Sequence, residues 1–237
     1  MEERHVVSFS GGKDSTAMLI RMIEEGMKID EIIFCDTSVE FPEMYEHIRK
    51  VESDLGIKIT VLKAEHDFEY YLLHYEKKRG KNKGTFGYSF PDFKNRWCTQ
   101  ALKKSVIKKY MQRYSDYKVI EYHGIAFDEL KRTEKNQEKN VRYPLVEWEM
   151  VEKDCLQFCY EKGYTWNGLY AKFDRLSCWC CPLSRIKELR ILYNDYPKLW
   201  KKLSDWQLQT YRKFRSDYTV QELEKKFKNE KNQMKMF

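Results

Sequence analysis

The stretch Ser10-Gly11-Gly12-Lys13-Asp14-Ser15 constrains this chain most, because it stands directly after the apolar run His5-Val6-Val7-Ser8-Phe9 and directly before a helix-patterned segment, Thr16 to Glu25. A strand, a tight turn and a helix in that order make an anion cradle. Two glycines let backbone N–H groups turn inward where a Cβ would block them, and the following helix aims its positive end at the anion. Pyrophosphate is the expected occupant. The common Gly-x-x-x-x-Gly-Lys-Ser/Thr loop is excluded, since Asp14 follows Lys13 and no glycine stands five positions ahead of Gly12.

Further along, Glu31-Ile32-Ile33-Phe34-Cys35 reads as a short buried strand that ends at Asp36-Thr37, and Pro42 suits the first turn of a helix running from Glu43 to Leu55. Lys58 to Leu62 gives a third strand, Ala101 to Tyr114 a helix and Tyr117 to His123 a fourth strand. Strands alternating with helices predict an α/β fold: an open, twisted parallel sheet with helices on both faces. Its ligand is expected at the carboxyl ends of the strands, where both Ser10 and Asp36 fall. Beyond Pro182 the pattern is helical, over Leu183–Tyr193, Pro197 to about Phe214 and Val220 to about Lys228, with the last residues too polar to predict as ordered. The expected organisation is a nucleotide-binding domain over 1–182 and a helical extension over 183–237.

The six-residue loop matches the Ser-Gly-Gly-x-Asp-Ser signature and resembles the PP-loop ATP pyrophosphatases, which cleave ATP between the α and β phosphates and adenylate an acceptor. Arg96-Trp97-Cys98-Thr99 followed by Leu102-Lys103, and Gly124-Ile125 with Glu129 and Arg132 behind, add a resemblance to the phosphoadenosine phosphosulfate reductase family, from about Val6 to about Leu189. The resemblance implies ATP, or a sulfonucleotide, with Mg²⁺. Ser8, Ser10, Gly11, Gly12, Lys13, Asp14, Ser15, Asp36, Thr37 and Gly124 would bind the nucleotide, and Lys13, Asp14 and Arg132 would serve catalysis. Arg132, in the charged run Asp128 to Arg132, reads equally as a surface residue.

Seven cysteines without a secretory pattern argue for metal, redox or core roles rather than disulfides. Cys35 reads as core. Cys155 and Cys159, spaced i, i+4, share one helix face and also read as core. Cys178-Trp179-Cys180-Cys181-Pro182 is denser in ligands, and by resemblance Cys98 faces the same end of the sheet. Cys98, Cys178 and Cys181, with Cys180 as an optional fourth, could hold structural zinc or a [4Fe–4S] cluster with an open position, or form a redox relay or reduced packing.

At 237 residues one well-buried core is expected, and 15% aromatic with 34% charged residues suits a globular chain. No apolar run approaches the ~20 residues of a membrane span, and Met1 to His5 shows no leader-like stretch, so a cytoplasmic protein with no membrane partner is expected. The net charge of +7 permits a nucleic-acid partner without requiring one, the blander reading of the C-terminal cations being a solvated face. A loop from about 75 to 97 interleaves Phe86, Tyr88 and Phe90 with cations. It reads as a substrate lid whose aromatics stack on a base or anchor the loop to the core.

Three functions remain open on these residues. One is an ATP-dependent enzyme that adenylates an acceptor, RNA or a nucleotide, for sulfur transfer from a donor protein or sulfide. Another is a sulfonucleotide reductase with altered thiol chemistry, because the family's C-terminal Glu-Cys-Gly-Leu-His is absent and no cysteine follows Cys181. The third is a non-catalytic nucleotide-binding protein with structural zinc. A homodimer is compatible with each.

Overall fold

The computed structural model describes residues 1–133 and 140–234, with the side chains of 233 and 234 left aside. The strands are β1 (Glu3–Ser8), β2 (Glu31–Asp36), β3 (Thr60–Lys63), β4 (Lys118–His123) and β5 (Val141–Arg142). The helices are α1 (Lys13–Glu24), α2 (Pro42–Leu55), α3 (Phe68–Leu73), α4 (Trp97–Thr99), α5 (Ser105–Met111), α6 (Pro144–Glu147), α7 (Glu152–Glu161), α8 (Leu169–Lys172), α9 (Ile186–Asp195), α10 (Pro197–Gln209) and α11 (Val220–Met234). Two compact units emerge. The first comprises Met1–Asp36, Phe41–Lys63 and Lys104–Ala171, and the second Thr37–Glu40, Ala64–Lys103 and the chain from Lys172 onward. The expected boundary at 182/183 falls inside the second unit.

The first unit holds a five-stranded sheet in the order β3-β2-β1-β4-β5, every pair parallel. Moving from β1 through β2 to β3 the chain steps one way, then it returns past β1 to lay down β4. Right-handed connections therefore put α1 and α2 on one face and α5 on the other. Val6, Ile33 and Leu62 form a buried cluster with Val106, Ile107, Tyr110 and Met111 against it, so α5 covers that face. Cys35 joins this cluster half-buried, in keeping with its expected core role. The reversal of direction lies between β1 and β4, where Ser8 is paired with His123.

The α/β alternation matches expectation, and three local details differ. Helix α1 starts at Lys13 rather than Thr16, because first-turn residues need no intrahelical donor partner and the signature itself can form that turn. The expected helix Ala101–Tyr114 is a composite that passes through a π-helical turn at Gln100–Lys104 and ends in a 3₁₀ turn at Gln112–Tyr114. Strand β5 was not predicted, two residues being too few to carry a period.

The second unit has an aromatic core of its own. Trp206 stacks on Trp179 at 5.2 Å and packs against Phe68 at 5.6 Å, while Phe68 meets Trp97 at 5.0 Å and Phe90 meets Phe214 edge-on at 5.1 Å. Phe90 is thus a core anchor, whereas Phe86 is 64% exposed. Helix α10 stops at Gln209, short of the expected Phe214. The buried Gln207 amide turns back, accepting from Phe214 N–H at 2.6 Å and donating to Arg212 O at 2.9 Å, and this cap ends the helix. Helix α11 instead runs on to Met234, stapled by buried Leu223 and Phe227 and by Glu224 with Lys228.

Candidate functional site

Strand β1 delivers the loop. Phe9 N–H still donates to Ile33 O at 2.9 Å, after which the chain leaves the sheet with Ser8 and Ser10 exposed at its end. Ser15 Oγ donates to Gly12 O at 3.1 Å and lies 2.9 Å from Ser10 Oγ, while Ser10 N–H donates to Ser15 Oγ at 3.1 Å. The two serines lace the loop onto the first turn of α1. Gly11 sits at φ +77°, and a Cβ there would come within 2.7 Å of Met44 Sδ; its carbonyl accepts from the buried Trp166 indole N–H at 2.7 Å. Gly124, one residue beyond β4, presses on the same turn, since a Cβ would lie 2.8 Å from Ser15 Cα and 2.9 Å from Ser15 N. The switch point of the sheet and the loop are therefore one place.

The charges around the loop are mixed. The Lys13 side chain is 7% exposed, its ammonium 2.6 Å from Glu152 Oε2 and 3.2 Å from Asp14. Burial disfavours the ammonium, but Asp14 and Glu152 outweigh burial and hold it above the usual lysine range. Burial pushes the Asp14 carboxyl up to about 6, against the pull of Lys13 and with the negative charges of Glu152 and Glu129 adding to the rise. Asp14 Oδ1 is buried, with the Lys13 ammonium at 3.2 Å. Asp14 and Glu152 put negative charge beside the anion cradle, which suits a divalent cation accompanying the phosphates better than a bare anion.

Arg132 ends the 3₁₀ turn Phe127–Arg132, half-exposed and paired with Glu129. Among the described residues its ion pair is with Glu129, whose negative charge is felt at Asp14. Asp36 is buried at the end of β2, where it accepts from Tyr45 OH at 2.7 Å and pairs with Lys63 at 2.9 Å.

Sequence reasoning missed the residues that support the loop from α2, α7 and beyond. Tyr170 OH accepts from Lys13 N–H at 2.8 Å; His47 Nε2 lies 3.0 Å from Thr16 Oγ1 and stacks on Trp166 at 4.3 Å. Cys159 donates to Lys13 O at 3.5 Å, and Cys155 and Cys159 are both fully buried on α7 as expected. Local pattern holds no signal for Glu152 or Tyr170.

In the second unit the Cys178–Cys181 segment closes as a turn, with Cys181 N–H on Cys178 O at 3.0 Å and Trp179 N–H on Val39 O at 3.1 Å. Cys178 Sγ lies 3.6 Å from both Thr37 Oγ1 and Glu40 Oε1, and Thr37 Oγ1 donates to Glu40 at 2.8 Å. All seven cysteines are free thiols. Burial drives the Cys178 and Cys180 thiols well above their ordinary range and raises Cys181 also, while Cys98 stands half-buried on α4. The donor chemistry suits a thiophilic metal. The arrangement does not: among the described residues no group of three or more His, Cys, Asp or Glu is poised to hold a metal ion. Among the same residues no helix is long and apolar enough to cross a membrane.

An all-parallel sheet with a Ser-Gly-Gly-x-Asp-Ser loop at its switch point defines an α/β protein of the PP-loop type. Residues 4–184 match the phosphoadenosine phosphosulfate reductase domain, and the chain belongs to that family of sulfur-related, nucleotide-using proteins. An uncharacterised protein of Methanocaldococcus jannaschii is 30% identical over 207 residues, which cover 83% of this chain and 40% of that protein. The chain spans less than half the length of the curated relatives it matches. The phosphoadenylyl-sulfate reductase of Candida auris, solved as a phosphate complex, superposes with a TM-score of 0.50 at 15% identity over 74% of this chain and 81% of that one. The U34-tRNA thiolase NcsA of Methanococcus maripaludis, solved with its [4Fe–4S] cluster, gives 0.43 at 15% identity over 95% and 72%. The first likeness speaks for the fold alone, and the second carries no argument.

Proposed function

We propose that this protein is an ATP pyrophosphatase that adenylates an acceptor oxygen in preparation for sulfur transfer. The observation that carries the reading is the laced Ser10–Ser15 loop with Gly124 against its backbone and the buried Lys13–Asp14–Glu152 cluster beside it. The acceptor oxygen would bond to the α phosphorus as the bridging α–β bond breaks and pyrophosphate leaves, so a poor leaving group becomes AMP. A sulfur nucleophile, from a donor protein or sulfide, would then displace AMP.

The loop amides of Gly11 and Gly12, with Ser10 and Ser15, would hold the β,γ-pyrophosphate. Lys13 would neutralise the charge that develops on it, and Arg132 would assist only after leaving Glu129. Asp14 is the residue that would hold Mg²⁺, which supplies charge neutralisation to the phosphates when bound. Ser8, Asp36, Thr37 and Gly124 complete the nucleotide-binding set. The Cys98, Cys178, Cys180 and Cys181 thiols would bear the sulfur chemistry, with no step here routed through a metal.

The family name favours a second reading, reduction of an activated sulfate without ATP cleavage. Product analysis separates the two. With α-labelled ATP and candidate acceptors the first reading expects AMP and pyrophosphate in equal amounts; sulfite released from a sulfonucleotide with no AMP formed from ATP would overturn it. Anaerobic purification with iron, zinc and sulfide analysis tests the cysteine assignment: stoichiometric iron and sulfide support a cluster, and zinc alone makes the turn structural.

A further inference from the structure

The second unit carries a pocket of about 590 Å³ that the phosphate-loop chemistry leaves unused. Three tyrosines line it, Tyr75, Tyr88 and Tyr211. Lys77, Lys78, Arg79, Lys81 and Arg212 line it too, and no carboxylate does. The cations are held by local structure. Glu76 bridges to Phe86, Lys77 N–H donates to Thr85 O at 2.9 Å and Gly84 N–H to Lys77 O at 2.9 Å, so Lys78, Arg79 and Lys81 lie on a closed hairpin turn. Among the described residues those three side chains have no carboxylate partner, whereas Arg212 is neutralised by Asp92 at 3.0 Å.

The rings are set as surfaces. Tyr88 stacks between Tyr75 at 5.0 Å and Trp97 at 5.6 Å, which fixes the wall. Tyr211 is 61% exposed, yet its hydroxyl is pinned, donating to Tyr88 O at 3.2 Å and accepting from Lys77 Nζ at 3.2 Å. A tyrosine exposed in the ring and tied at the hydroxyl presents a face. Cations alone would suit any polyanion, but an oriented, exposed ring among them, Tyr211, suits one whose bases are unpaired, since a duplex keeps its base faces stacked inside.

We propose that this pocket binds single-stranded nucleic acid, with Lys78, Arg79 and Lys81 on backbone phosphates and Tyr211 against a base. The binding stands apart from the reaction proposed above; naming the strand as the acceptor rests on that reading. The test is fluorescence anisotropy of the full chain, without ATP, on a short uridine-rich RNA, its DNA equivalent and a duplex.

Single strands should bind, and log K should fall with log salt at a slope of about −2 for three phosphate contacts. The K78A/R79A/K81A variant should weaken binding at least about tenfold and flatten that slope. Tyr211→Ala should cost about 5- to 100-fold while Tyr211→Phe keeps most of the affinity, because stacking needs the ring and not the hydroxyl. Tighter RNA than DNA would show that the 2′-hydroxyl is read, and equal affinities would support backbone-and-base recognition alone. Duplex binding as tight as single-strand binding, unchanged affinity in the triple variant, or displacement by an acidic polypeptide as readily as by RNA would overturn the proposal. Binding without pyrophosphate release would keep the pocket and remove the adenylation reading, and release without binding would do the reverse.

Discussion

The Lys13 ammonium lies 2.6 Å from Glu152 Oε2, a carboxylate 139 positions further along the chain. Because Asp14 shares the same ammonium, the loop's cation is pre-set by two anions before any phosphate arrives. Lys13→Gln should lower pyrophosphate release by about 100- to 1,000-fold, with nucleotide affinity changed less than about tenfold. Steady-state turnover and equilibrium nucleotide binding, measured side by side, check it. Equal losses in both would remove the transition-state role.

Asp14 is a site of stored instability. Its carboxyl titrates at about 6 when folded against an ordinary 3.8, so between those values the folded state keeps a proton that the unfolded state has lost. Stability therefore falls as pH rises through that window, by at most about 3 kcal/mol at neutral pH. Asp14→Asn should raise stability to urea near pH 7.5, lose that advantage near pH 4 and abolish activity throughout.

His47 carries the opposite sign. Burial, with some repulsion from Lys50, lowers its imidazole to about 3 from an ordinary 6.5, so the folded state refuses a proton that the unfolded state accepts. Stability should fall as pH drops from 6.5 toward 3, and His47→Gln should flatten that fall. Denaturation midpoints of the two variants across pH should diverge in opposite directions from the parent.

Gly124 and Gly12 should separate on alanine substitution. A Cβ at Gly124 meets backbone of α1 at 2.8 Å, whereas one at Gly12 finds nothing nearer than Tyr170 OH at 3.4 Å. Gly124→Ala should cost about 1–3 kcal/mol and disrupt the loop. Gly12→Ala should fold with about the parent stability, the cost at an N-cap being well under 2 kcal/mol. Thermal melts with nucleotide-binding isotherms decide the matter.

What the sequence made legible was everything encoded by neighbours. The Ser10–Ser15 signature, the strand–helix alternation and the i, i+4 burial of Cys155 and Cys159 each rest on residues close in the chain. Trp166 on Gly11, 155 positions apart, and Tyr170 on Lys13, 157 apart, do not, and periodicity has no term for them. The short helix α3 escaped notice because six residues beside a long loop give too few turns to show a stripe. Glu40 and Cys178 are 138 positions apart, and only folding sets them side by side.

The position of β1 in the sheet has a consequence for synthesis. This first strand is flanked by β2 and β4, and His5 meets Tyr122 at a separation of 117 positions. During translation the strand can zip onto β2 early, but its other edge stays open until the ribosome has released the chain past His123, and Glu152 and Trp166 follow later still. The Ser10–Ser15 loop, synthesised ahead of every element that braces it, is therefore among the last parts of its unit to reach working shape.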